Sequence, residues 1–154
     1  ESIADKFKDN TLTSNFGEYY YLGKCIERKS LKLLPKLGSY LDWIICGYGE
    51  RPFFCIFSAL GIIIIFSFLY LITGIDTDGR TILYTFSNMY TWNISKFIRD
   101  FNEALNLSVG MFAGVGIDNG KPTEIGYLVA NLEMLIGIVL MGVGVGTLVR
   151  KVIR

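Results

Sequence analysis

Between Pro52 and Thr73 the chain reads PFFCIFSALGIIIIFSFLYLIT, twenty-two residues without a charge. As an α-helix this run is roughly 33 Å long at about 1.5 Å per residue, enough to cross the hydrocarbon core of a bilayer. A soluble protein buries such a helix only inside a large core, and too few of the 154 residues remain around it to build one. Pro52 falls in the first turn, where its missing N–H costs nothing. A second run, Ile125 to Val149, is long enough to cross with some tilt and carries one acid, Glu133, and five glycines. Gly137, Gly142, Gly144 and Gly146 mark a helix that packs closely against others or bends, which a lone lipid-facing helix has no need to do.

Basic residues set the orientation. Lys24, Arg28, Lys29, Lys32, Lys36 and Arg51 precede the first run, and Arg150, Lys151 and Arg154 follow the second, whereas the long connection between them holds only Arg80, Lys96, Arg99 and Lys121. Both termini are therefore expected in the cytoplasm of a multi-pass protein of the cell (plasma) membrane. Fifteen basic against fourteen acidic residues leave no clustered excess for nucleic acid, so the expected partner is the lipid bilayer. With no histidine, and with Cys25, Cys46 and Cys55 at no metal-ligand spacing, the chain has neither the commonest general base nor a zinc pattern. It is expected not to be an enzyme and to carry no cofactor. Its cysteines, on the cytoplasmic side or in lipid, should stay reduced. Glu1 is not a methionine, and the chain reads as a piece of something longer.

Residues 1–51 form the expected cytoplasmic segment. Glu18 to Lys29 is charged around Tyr19, Tyr20 and Tyr21, and reads equally as an interfacial or a solvated helix. Ser30 to Cys46 mixes lysines with leucines, and its Tyr40 and Trp43 suit a headgroup boundary. Gly47, Tyr48, Gly49 and Glu50 resemble an ion filter in spelling but have no helix of the right kind before them, and read as a turn at the start of the first span.

Residues 52–154 read as a pore domain: outer helix 52–73, extracellular loop 74–99, pore helix and filter 100–122, inner helix 125–149. About fifty residues between the spans are too many for a simple connector. Asp100 or Asn102 is expected to cap a short helix with Glu103 in its first turn and Ala104, Leu105, Leu107, Val109, Met111 and Phe112 as its apolar residues. A glycine-rich stretch, Ala113 to Gly120, follows and is expected to be extended. Non-helical backbone at membrane depth is tolerated only where protein buries it or it lines a water-filled cavity, and a ring of four copies supplies such a cavity. Rings of backbone carbonyls can replace an ion's hydration shell. The candidate filter is Gly114, Val115, Gly116, Ile117 and Asp118, with Asn119 and Lys121 at the outer mouth. Four copies of Asp118 form a carboxylate ring that attracts cations, monovalent or divalent, or else each acts as a hydrogen-bond acceptor behind the filter. Glu133, expensive in lipid, is expected to face protein as a support for the filter, with a place in the ion path as the alternative. Gly137 is either a gating hinge or a packing glycine.

FGEYYYLGK at Phe16 to Lys24, CGYGERP at Cys46 to Pro52, MFAGVGIDNGKP at Met111 to Pro122 and LEMLIGIVL at Leu132 to Leu140 carry a family resemblance. The chain resembles the bacterial two-span, potassium-channel-like proteins whose cytoplasmic part often bears pentapeptide repeats. The resemblance implies an all-α membrane protein with two transmembrane helices, a re-entrant pore helix and a selectivity-filter loop, assembled as a homotetramer around permeant ions. Aligned on that family, the filter glycine falls on Gly116 and the closing proline on Pro122. The family's filter threonine is Gly114 here, its aromatic is Ile117, its second glycine is Asp118 and the following aspartate is Asn119. These departures point to a cation channel of relaxed or divalent-tolerant selectivity, open to K+, Na+ and Ca2+. The alternatives are a potassium-selective channel, a non-conducting membrane-anchored sensor or scaffold, and an anion pathway with Lys121 near its mouth.

Overall fold

The computed structural model describes residues 13–77, 79–84, 93–116 and 120–153. In chain order these form α1 (Thr13–Ser30), α2 (Leu33–Cys46), a single 3-10 turn (Gly47–Gly49), α3 (Pro52–Thr73), β1 (Ile75–Thr77), β2 (Arg80–Ile82), α4 (Ile94–Phe112), β3 (Lys121–Pro122) and α5 (Gly126–Ile153). The chain is mostly helical, and α3 and α5 are long and apolar enough to cross a membrane. Only 28% and 22% of their most apolar stretches are buried, unlike the core helices of a soluble protein. Phe53, Phe57, Ile65 and Ile72 of α3 and Leu128, Leu135 and Val139 of α5 are exposed apolar side chains, a surface that water opposes and lipid accepts.

The chain forms two compact units. One comprises residues 59–139. Tyr70, Leu71, Ile75, Ile82, Ala104, Leu107 and Ala130 are its buried core. Beside the helices it holds a small antiparallel sheet of two- and three-residue strands in the order β2-β1-β3. Ile75 and Thr77 point inward and Asp76 outward, the alternation of a half-buried strand. Asp76 faces Thr81 across the hairpin and accepts its hydroxyl at 2.6 Å. The sheet joins the end of α3 to the start of α5 at one tight crossing. Thr123 Oγ1 donates to the Thr73 carbonyl at 2.7 Å. Gly74 has a φ of +98°, and a Cβ there would stand 2.8 Å from Thr123 Cγ2, so both backbone angle and space demand glycine.

Helix α4 begins six residues before the expected pore helix at 100. Asn93, not Asp100 or Asn102, is its cap, with Oδ1 accepting from the Ser95 N–H at 3.1 Å. The added turns are held by aromatic packing, since Phe97 stacks on Phe101 at 6.1 Å and meets Tyr84 edge-on at 5.9 Å. Asp100 is 2% exposed and accepts the Tyr84 hydroxyl at 2.7 Å. Burial, and then this hydrogen bond to a carboxylate, push the Tyr84 phenol up to about 12.

The other unit comprises residues 1–58 and 140–154. Gly47 caps α2 in the left-handed region, its N–H donating to the Asp42 and Trp43 carbonyls. Tyr48 follows at φ 58°, which costs a non-glycine residue about 1–2 kcal/mol. Its hydroxyl pairs with Ser39 at 2.8 Å and its ring meets Tyr21 edge-on, contacts that offset the strain. The GYG segment is thus a turn between α2 and α3. Trp43 is half-buried: its Nε1 donates to Tyr21 Oη at 2.8 Å, and Arg28 lies over its ring at 4.8 Å. The exposed large hydrophobic residues of α2 are Leu33, Leu34, Leu37, Tyr40, Leu41 and Ile44.

Candidate functional site

The glycine-rich segment begins where α4 ends. Four successive N–H groups turn back onto the last turn of the helix: Ala113 donates to Val109, Gly114 to Met111, and Val115 and Gly116 both to Gly110, at 3.0 to 3.2 Å. Gly114 and Gly116 make this possible with φ values of 71° and 72°. A Cβ at either would meet nothing within 4 Å, so conformation and not space selects glycine here. Residues 113–116 therefore turn about the helix end, in contrast to the extended stretch expected from the sequence. Their N–H groups are consumed, and among the described residues no backbone hydrogen bond ends on their carbonyls. Val115 is 83% exposed. Ile117, Asp118 and Asn119 lie outside the described residues.

Gly120 and Lys121 bring the chain back beside β1, with Lys121 exposed and opposite Asp76. A cavity of about 560 Å³ lies along the segment, lined among others by Thr77, Glu103, Asn106, Gly110, Val115 and Gly116. Glu103 Oε1 meets Arg80 at 3.5 Å, while Glu103 Oε2 and Thr77 Oγ1 are shielded and have no partner among the described residues. Among the described residues no three His, Cys, Asp or Glu side chains are grouped as metal ligands would be. Any ion held here meets oxygen atoms of backbone, amide, hydroxyl and single carboxylates.

Glu133 of α5 is fully buried. Its Oε2 accepts the Tyr70 hydroxyl of α3 at 2.6 Å, and its Oε1 accepts from Ser108 of α4. Ser108 Oγ also lies 2.9 Å from the Ile63 carbonyl of α3. One carboxylate thus ties three helices together. It touches α4 one turn before the glycine-rich segment, and none of the described residues 114–116. Four residues further along α5, Gly137 lies against the end of α4: a Cβ there would overlap the Phe112 carbonyl oxygen and stand 3.0 Å from its carbon. Of the two roles expected for Gly137, this geometry is that of a packing glycine.

Sequence reasoning missed Tyr70 and Ser108. Their signal is present, because a hydroxyl in an apolar helix must find an acceptor, and Glu133 is the acid on the facing run. Comparison with family models, with curated proteins and with solved structures returned no match.

Proposed function

We propose that this chain is one subunit of a homotetrameric pore-loop cation channel, set in the plasma membrane with both termini in the cytoplasm and related to the bacterial two-span, potassium-channel-like proteins it resembles. One observation carries the reading. The N–H groups of residues 113–116 are all spent on the end of α4, and among the described residues no backbone N–H donates to their carbonyls. Carbonyl oxygens attract cations and repel anions, so the segment suits cation passage and disfavours the anion pathway. The segment also falls in sequence between two membrane-long helices, and at membrane depth irregular backbone is tolerated only where protein buries it or it lines a water-filled cavity.

In this reading α4 is the pore helix and Gly114 to Asp118 the filter, with Asn119 and Lys121 at the mouth. Glu133 and Gly137 support the filter through α4, one by hydrogen bonding and one by close approach. Gly114 offers no hydroxyl and Ile117 no aromatic brace, so selectivity is relaxed and extends to divalent ions, which the Asp118 carboxylates attract. Passage needs no catalytic residue. The test is cation flux through vesicles reconstituted with the purified chain: flux of K+, Na+ and Ca2+ is expected, and none for any cation with tetramers intact contradicts the proposal.

A further inference from the structure

The unit of residues 1–58 and 140–154 has a cavity of about 680 Å³ between α1, α2 and the last turns of α5. Three cations line it: Lys24 and Arg28 of α1 and Arg150 of α5. We propose that this cavity binds a phosphate group, either free in solution or as the headgroup of an anionic lipid.

The case rests on how the cations are held. Arg28 lies over the Tyr40 ring at 4.4 Å and the Trp43 ring at 4.8 Å. Stacking fixes a guanidinium while leaving its N–H edge available, which prepares it for bidentate contact with an oxyanion. Arg28 Nη1 is shielded from solvent and has no hydrogen-bond partner among the described residues. A buried donor without an acceptor is costly, and the aromatic faces accept no in-plane N–H bond. Arg150 reaches the cavity from the other side, over the Tyr20 ring at 5.7 Å, with Glu50 at 3.4 Å. Lys24 completes the set, and hydrogen bonding to Glu27 at 2.8 Å raises its ammonium pKa.

Two acids, Glu27 and Asp42, also line the cavity. Glu27 is paired with Lys24 and Glu50 with Arg150, so three acids balance the three cations, and what stays open to a ligand is the edge of Arg28, whose Nη1 has no partner among the described residues. Ser39 and Tyr48, paired at 2.8 Å, add hydroxyls to the same wall. Multiple fixed cations with neighbouring hydroxyls suit a phosphate, with its several charged oxygens, better than a lone carboxylate. Basic residues at the expected cytoplasmic ends of the spans also face the negative inner leaflet. The site gives a common task to the two motifs that the pore does not use. FGEYYY supplies Tyr20 under Arg150, and CGYGE supplies Tyr48 and the Glu50 that steadies Arg150. The proposal does not depend on conduction, and its test reads binding alone.

Trp43 beside Arg28 is a built-in reporter. In the full chain with Trp92→Phe, which leaves Trp43 as the remaining tryptophan, titration with inorganic phosphate is expected to change the emission saturably. Arg28→Gln and Arg150→Gln should each weaken the response at least about tenfold, and Lys24→Gln should weaken it less. Lys29→Gln, an exposed cation outside the cavity, should leave it unchanged. Should Arg28→Gln fail to fold, Arg150→Gln and Lys24→Gln carry the test. Nanodiscs separate the sources: phosphatidylglycerol competing with inorganic phosphate, where phosphatidylcholine does not, identifies a lipid headgroup, and equal affinity in both identifies free phosphate. No saturable response in either lipid, or one that survives Arg150→Gln and Lys24→Gln, overturns the proposal.

Discussion

Gly137 of α5 packs directly on the carbonyl of Phe112, the last residue of α4. The approach is too close for any side chain. Gly137→Ala must push the helices apart or strain them, at a cost of about 1–3 kcal/mol. Thermal melting of the purified protein is expected to show a lower transition for Gly137→Ala. Gly142→Ala, where a Cβ meets nothing within 4 Å, should leave it unchanged or raise it. An unchanged transition in Gly137→Ala would return that residue to the hinge role.

Tyr70→Phe removes the hydroxyl that Glu133 Oε2 accepts and leaves a buried carboxylate oxygen without a donor. The expected cost is about 1–3 kcal/mol. Ser108→Ala removes the other donor, and because both act on one carboxylate the double variant should not be the sum of the two. A double-mutant cycle on melting temperatures measures that coupling, and strict additivity would show that Glu133 is not shared.

Tyr84 gives the extramembrane part of the fold a pH dependence. Its phenol is raised from the ordinary 10.0 to about 12 by burial and by the hydrogen bond to Asp100. Below the ordinary value both folded and unfolded chains keep the proton, and the contribution is complete. Between there and about 12 the unfolded chain ionises first, so stability falls as pH rises. Tyr84→Phe should be less stable at neutral pH by about 1.5–3 kcal/mol, the worth of a hydrogen bond to a charged group. It should also lose less stability than the parent between pH 10 and 12. Parallel melting curves for the two proteins across that range would contradict the assignment.

Much of this was legible in the residues. Charge-free length marked α3, and glycine content with one acid marked α5 as a packed helix, because membrane solvent constrains composition directly. The start of α4 was not legible. Asp100 looks like a cap, and only the tertiary contact with Tyr84 reveals it as a buried acceptor, while Phe97 and Phe101 extend the helix by stacking. The sheet was missed because its strands are two or three residues long, too short for alternation to stand out. The partners of Trp43, Tyr21 and Arg28, were not legible because they lie far from it in sequence.

The filter assignment makes its own demand on two residues. Gly116 holds a φ of 72°, which a Cβ resists, so Gly116→Ala should abolish flux while leaving membrane insertion intact. Asp118→Asn should lower cation conductance or divalent block by removing the carboxylates at the mouth. Single-channel recording distinguishes the outcomes, and normal currents from Gly116→Ala would contradict the assignment.

The most direct test of the whole account is the reversal potential of the reconstituted protein between potassium on one side and sodium or calcium on the other. The proposed filter, whose sequence GVGID carries no threonine, predicts measurable current that reverses well short of the potassium equilibrium potential and still flows when calcium replaces sodium. Absence of current in every cation, from tetramers of demonstrated integrity, would contradict conduction, and reversal at the potassium equilibrium potential would contradict the relaxed selectivity.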